Sequence, residues 1–288
     1  MSRKINLLCV LSGLPLAATL VIGTVHAHDV NKVINAAHIS TYYPPLEFKD
    51  PKSGELVGFA IDLFEAMAKK VGAKVNWSGS SFAELTSFAP LKTGRVDIYA
   101  SGAMTDTPER RENGVSFLDF VYEPYFFFTL KANADQFKSP DGLCGKRVAT
   151  TRSSTMTTGL VNKWSEETCA KAGKPAVVQV GATGSAEEEL MLKQGRVDAA
   201  VAGVGPISHA NQLEGNTYIT LGRPLNKNMY GMAFLNEKKE LGEALKKALD
   251  ELIADGTYVK LLQKWGLPVD DSSIGSTSSI NAGPTLPK

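Results

Sequence analysis

The sequence predicts an α/β protein built from two similar lobes, and two observations carry that prediction. LKTGRVDI, from Leu91 to Ile98, returns about a hundred residues later as LKQGRVDA, from Leu192 to Ala199. In each copy a helix-like stretch turns on a glycine, Gly94 or Gly195, and enters a short apolar strand. Glycine follows a helix C-terminus easily because it takes the left-handed conformation without a Cβ clash. The second observation is that strand-like and helix-like segments alternate through both halves of the chain. Two α/β lobes of this kind offer a ligand site in the cleft between them.

In chain order, Val33 to Ile39 reads as a strand, followed by the turn-rich TYYPPLEF and a hairpin-type turn at Asp50 to Gly54. GFAIDLFEAMAKKVG reads as an amphipathic helix ended by Gly72, with Ile61, Phe64, Ala68 and Val71 at helical spacing. AKVNW is a strand, and Phe82 to Lys92 is a helix leading into the first GRVD strand. Thr107-Pro108 opens a helix, Thr as N-cap and Pro at the first helical position. FVYEPYFFFTLK, aromatic and β-branched, reads as a long strand crossing between lobes. In the second lobe CGKRVATT and AVVQV are strands, RSSTMTTGLVNKW is a loop entering a helix, and Ala186 to Gln194 leads into the second GRVD strand. MYGMAFL returns as a strand, and Glu240 to Asp255 places Leu241, Leu245, Leu249 and Leu252 on one helix face. Residues 268–288, rich in Ser, Gly, Asn and Pro, read as a flexible tail. The expected division is a signal peptide over 1–27, a discontinuous first lobe over 28–131 plus 229–267, and a second lobe over 132–228.

Arg3 and Lys4 precede an uncharged stretch that ends in Val25-His26-Ala27, the pattern of a cleaved secretory signal. The alternative is an uncleaved anchor, since the stretch is long enough to span a bilayer; Gly13, Pro15 and the Ala27 site argue for cleavage. Cys9 lacks the small neighbour a lipid-attachment site needs. Removal of the signal leaves 29 basic and 30 acidic residues, with no basic run that would suit nucleic acid. A soluble monomer is expected. Two cysteines remain, Cys144 and Cys169, and an even count in an exported chain favours a disulfide; the alternative is two buried thiols. Neither has the close His or Cys neighbours a metal site requires, and neither metal nor cofactor is expected.

GELVGFAIDLFEAMAKKVG, LKTGRVDI with SGAMTDTPERR, FLDFVYEPY, LCGKRVATTRSST, LKQGRVDAAV, and YGMAFL with ADGTYVKLLQKWGL occur in the order seen in extracellular solute-binding proteins. The chain resembles, from about residue 33 to 267, the subfamily serving polar amino acid ABC importers. The resemblance implies a type II periplasmic binding protein fold: two lobes, each a mostly parallel sheet flanked by helices, joined by two crossing strands and closing on a ligand. It also implies a periplasmic location and permease subunits of the inner membrane as partners.

The same resemblance implies a set of contacts. Tyr43 corresponds to an aromatic that packs on the ligand, and Phe82 to the hydrophobic residue on its other side. Ser101 and Thr105 fall where backbone and hydroxyl groups hold a carboxylate, and Arg110 where an arginine pairs with it. Ser154 and Thr155 fall where the second lobe offers a helix N-terminus to the same anion. The chemistry is sound without the resemblance. The planar fork of Arg matches a carboxylate with two parallel hydrogen bonds, a helix start attracts anions, and aromatic faces hold a ligand body with few rotamers to freeze. Plainer roles exist for each: a solvated helix face for Arg110, a turn for Tyr43, core for Phe82, simple capping for Ser154.

Two departures from the family pattern stand out. SGAMTDTPER carries one residue more than the common spacing before Arg110, which weakens the assignment of Thr105. In RVDAAVAGVG, Gly203 stands where the family places an aspartate for the ligand's α-ammonium. Either another acid serves, or the ligand lacks a free primary α-ammonium; the loss of both charge and side chain at 203 favours the second. Asp198 is expected to be structural. The leading function is a binding component that delivers an amino acid or related small carboxylate by hinge closure. The alternatives are a dehydratase-like enzyme in the same cleft, which needs a general acid, and a ligand-sensing module. The Glu187-Glu188-Glu189 run supplies acids but reads as a solvated helix face.

Overall fold

The computed structural model describes residues 32–284 apart from Ala103, Ser139 and Ser153. The expected signal peptide and Cys9 lie outside the described residues.

The first part of the chain contributes β1 (Lys32–Ile39), the hairpin β2 (Phe48–Lys49) and β3 (Leu56–Val57), α1 (Phe59–Lys70) and β4 (Ala73–Ser80). It continues through α2 (Phe82–Ser87), α3 (Ala89–Lys92), β5 (Ile98–Tyr99) and α4 (Pro108–Arg111) to the 16-residue β6 (Val115–Leu130). Next come β7 (Arg147–Thr151), α5 (Thr155–Thr168), β8 (Val178–Ala182), α6 (Ser185–Lys193), β9 (Ala199–Gly203) and α7 (Val204–Glu214). The 18-residue β10 (Tyr218–Leu235) runs back, followed by α8 (Lys239–Ala254), α9 (Thr257–Lys264), α10 (Val269–Ser272) and β11 (Ser279–Ile280).

One sheet runs through the molecule in the order β4-β1-β5-β10-β6-β9-β7-β8. Its two ends are parallel triplets, β4-β1-β5 and β9-β7-β8, and the long pair β6 and β10 lies antiparallel between them. The long pair links the two ends of the sheet, each strand bordering one triplet. β6 pairs with β9 through Tyr125 to Phe128, while β10 pairs with β5 at Ala233. Buried apolar residues separate accordingly. One pair of clusters gathers α1, α8 and α9, and α2 and α3, around the first triplet. The other gathers α5, α6 and α7 around the second.

The repeated motif has the same job at each end. Gly94 and Gly195 take φ of 71° and 65°, and nothing crowds a Cβ at either, so conformation alone asks for glycine. Asp97 Oδ2 accepts the Asn35 N–H at 2.9 Å, and Asp198 Oδ2 accepts the Arg147 N–H at 2.9 Å. Each aspartate ties its own strand to the start of the central strand of its triplet, so Asp198 is structural as expected.

Three expectations are corrected. Phe82 to Lys92 is not one helix: it breaks at Phe88, which takes φ of 57° and buries its ring against Tyr99 and Phe117, and Pro90 sits in the first turn of the second piece. Glu188 is not on a solvated face. It shares the buried side of α6 with Met191 and Leu192, three and four residues on, and accepts the Thr151 hydroxyl at 2.9 Å. The segment from 268 to 284 is not loose either. β11 pairs with β6, and the Ala282 and Gly283 N–H groups donate to the buried Asp119 and Asp106 at 2.7 and 2.8 Å. A polar segment of low apolar content is thus held by backbone N–H groups that each donate to one oxygen of a buried carboxylate.

Cys144 and Cys169 are joined in a disulfide that ties the loop before β7 to the end of α5.

Candidate functional site

Of the expected ligand residues, Tyr43, Thr105 and Arg110 lie against the crossing strands. In this antiparallel pair Glu123 faces Asn228 and Tyr125 faces Asn226. Directly opposed residues share a face, and so do alternate ones along each strand. Glu123, Tyr125, Asn226, Asn228 and Tyr230 therefore line one side of the crossing.

Tyr43 reaches this face from the loop after β1. Its hydroxyl donates to Glu123 Oε1 at 3.4 Å and lies 3.2 Å from the Tyr125 hydroxyl, which lies 3.3 Å from that of Tyr230. The Tyr43 and Tyr230 rings are 6.3 Å apart. Burial raises all three phenols above their ordinary range, so they act as neutral donors and acceptors.

Arg110 lies in α4, whose N-cap Thr107 accepts the Arg110 N–H through its hydroxyl. The guanidinium donates to the Thr105 carbonyl at 2.7 Å, and Thr105 bridges to Tyr230 of β10. Desolvation lowers the Arg110 pKa, and among the described ion pairs none involves it. Its neighbour Arg111 is spent on a two-point pairing with Asp106, both bonds at 2.6 Å. The chain thus holds one arginine for structure and leaves the next with spare donors beside Tyr230. Thr105 contributes through its backbone carbonyl.

From the second lobe, Ser154 caps α5 by accepting the Thr157 N–H at 3.2 Å, and Thr155 is the exposed first residue of that helix. Met156 Sδ lies 3.2 Å from the Asn228 amide. The start of α5 and the Thr105–Arg110 arm therefore hold the same stretch of β10, residues 228 to 230.

Two expected residues stand apart. Ser101 is buried and donates its hydroxyl to Glu47 at 2.5 Å, which occupies it within the first lobe. Phe82 is 47% exposed at the first position of α2, and no described ring contact joins it to the tyrosines.

Sequence reasoning missed the acids. Glu123 is fully buried, and its Oε1 accepts the Gly205 N–H, near the start of α7, at 3.0 Å. Burial pushes its carboxyl up to about 8 against the opposing pull of that N–H and of Tyr43. Glu188 is likewise pushed to about 8 by burial, and Glu47 to about 7. A signal was present: from Phe120 to Leu130, a largely aromatic and apolar stretch of the crossing strand, Glu123 is the one acid. A cavity of about 480 Å³ opens between α5 and residues 223–226 of β10, lined by Leu160, Trp164, Arg223 and, at its edge toward the crossing, Asn226 among others. None of the expected ligand residues lines it. Among the described residues no cluster of His, Cys, Asp and Glu could hold a metal ion, and no helix is long and apolar enough to cross a membrane.

Known proteins share this architecture. The chain is 30% identical over 227 residues to the arginine-binding protein ArgT of Corynebacterium glutamicum, covering 78% of this chain and 71% of that one. It is 31% identical over 232 residues to the histidine-binding periplasmic protein of Escherichia coli K12, covering 77% and 84%. Among solved structures, a probable amino-acid ABC transporter extracellular-binding protein of Bacillus subtilis superposes with a TM-score of 0.70 at 26% identity, covering 82% and 98%. An ancestral amino acid-binding protein that is a precursor of cyclohexadienyl dehydratase gives 0.62 at 27% identity, covering 81% and 95%. The family model for bacterial extracellular solute-binding proteins, family 3, matches residues 36–268. Two parallel triplets joined by a long antiparallel pair, with an arginine arm and a helix start meeting at the crossing, are thus the frame of a solute receptor, and the chain belongs to family 3 of the bacterial extracellular solute-binding proteins.

Proposed function

We propose that this protein is the periplasmic substrate-binding component of an ABC importer and takes an amino acid, or a closely related small carboxylate, between its lobes. The observation that carries the reading is Arg110: a desolvated guanidinium with spare donors beside Tyr230, two residues along β10 from Asn228, which Met156 of α5 touches. A ligand carboxylate there receives the fork of Arg110 from one lobe and helix N–H groups from the other. Contacts from both lobes favour the closed form over the open one, which is the signal a permease reads. Tyr43 and Tyr230 supply aromatic surface for the ligand body.

The relatives' ligands, arginine and histidine, set the first compounds to try. The protein acts by binding and release, as a monomer, with inner-membrane permease subunits as partners and without a cofactor. A thermal-shift screen with amino acids and small carboxylates tests the reading. A specific ligand raises the melting temperature by linkage. No shift across amino acids at millimolar concentration would reject it. Chemical turnover of a bound compound would favour the dehydratase-like alternative instead.

A further inference from the structure

We propose that Glu123 is the acceptor for the protonated α-nitrogen of the ligand, standing where a side chain at position 203 would stand. The inference rests on the amino acid reading above and adds the residue that reads the nitrogen.

Geometry carries it. Gly203 ends β9 beside Tyr125 of β6, so its missing side chain would point to the face that carries Glu123. A Cβ built there would overlap Glu123 Oε1, and would come within 2.8 Å of the Glu123 Cδ and 2.9 Å of the Tyr43 hydroxyl. The carboxylate and a side chain at 203 exclude one another. Glycine at 203 is therefore not simply a lost aspartate. It makes room for an acid supplied by the crossing strand, one residue before Pro124.

The carboxylate is also unfinished. Oε1 has the Gly205 N–H and the Tyr43 hydroxyl, but Oε2 is buried and has no hydrogen-bond partner among the described residues. On the same face the Asn226 amide oxygen is buried and unpartnered too, while the Asn226 amide nitrogen donates to Asn228 at 2.8 Å. Two acceptors facing one side without a donor ask for a ligand that brings N–H groups. The described ion pairs give Glu123 no cation of its own. A protonated nitrogen supplies both the charge and the hydrogen bonds, and it does so beside Arg110, which takes the opposite end of the amino acid.

Calorimetry on the full mature chain tests this with L-arginine and L-histidine and their des-amino analogues, 5-guanidinopentanoate and imidazolepropionate. The variants are E123Q, E123A and E123A/G203D, each checked for folding by circular dichroism. The wild type should bind one of the amino acids and discriminate against its des-amino analogue. E123Q should weaken the amino acid on the order of a hundredfold and leave the analogue nearly unchanged. E123A/G203D should bind the amino acid about tenfold or more tighter than E123A, because an acid returns to the same place. Wild-type binding of the amino acid with E123Q within about twofold of it, equal wild-type affinity for the analogue, or no gain in the double variant would each overturn the assignment and leave the amino acid reading standing. If E123Q fails to fold, the wild-type discrimination and the double variant decide. Failure of every amino acid to bind the wild type rejects the amino acid reading itself, and the assignment falls with it.

Discussion

Both GRVD segments deliver an aspartate that clamps the central strand of its lobe, with matching N–H to carboxylate distances of 2.9 Å. The return bonds match as well, Asp97 N–H to the Asn35 carbonyl at 2.7 Å and Asp198 N–H to the Arg147 carbonyl at 2.8 Å. Beyond the aspartates the lobes diverge. The first runs out after the two-residue β5 into a loop that ends in Arg110; the second extends β9 to Gly203 and opens a helix at once. The repeat therefore encodes the frame, and the lobes differ at the carboxyl ends of the strands, where open α/β sheets place ligands. There the first lobe holds the Arg110 guanidinium, the second the N–H groups at the starts of α5 and α7.

Removing the side-chain cation should have the largest effect. Arg110→Ala should weaken binding of a carboxylate ligand by about 3–5 kcal/mol, because a desolvated carboxylate loses its partner. Calorimetry reads it, and an affinity within about twofold of wild type would place the anchor elsewhere. Next comes the asymmetry in covalent bracing. Only the second lobe holds a disulfide among the described residues, and reduction should lower stability by about 3 kcal/mol through the freed 25-residue span. Urea melts with and without reductant measure this, and an equal midpoint would show that the lobe needs no brace.

The pH dependence ranks third. Glu123 is raised to about 8 in the fold from 4.5, so the folded chain keeps a proton there that the unfolded chain has lost. Its contribution to stability accordingly falls as pH rises from about 4.5 and is at its lowest above about 8. The groups facing it, Tyr43, Tyr125 and Tyr230, stay neutral across this range, and Glu188, near Tyr125, is raised to about 8 as well. A cationic ligand needs the ionised form. Its affinity should rise up to about tenfold per pH unit between 6 and 7, with proton release seen as a buffer-dependent heat. A flat profile would detach Glu123 from the ligand. The smallest effect belongs to the backbone donors. Ser154→Ala removes the cap of α5 and should cost about 1 kcal/mol of stability, since the N–H groups themselves remain. A loss of ligand binding as large as that of Arg110→Ala would erase the contrast between the lobes.

What could be read from the sequence follows from how local each signal is. The repeat, the Thr107 cap before Arg110 and the Ser154 start of α5 are set by neighbours within four residues, and the structure has them where spacing put them. Tyr43 came only from the resemblance, and its hydroxyl bond to Glu123, eighty residues away, could not be read from the sequence. Glu123 itself was hidden because a strand's alternation says which face a residue takes, not what waits opposite. Phe82 shows the converse: a resemblance named the residue, while α2 leaves it half exposed. The terminal segment was misread because composition counts apolar residues and cannot see Asp106 and Asp119, each of which has one buried carboxylate oxygen that accepts a backbone N–H of the segment.

That strap also sets the order in which the molecule can be finished. The buried clusters around the second triplet draw only on residues between 125 and 225, a continuous stretch of the chain. The first lobe must wait for α8, α9 and β11, and Asp119 receives its backbone donor only when residue 282 arrives. The lobe whose strands come first in the chain is thus the one completed by its last residues.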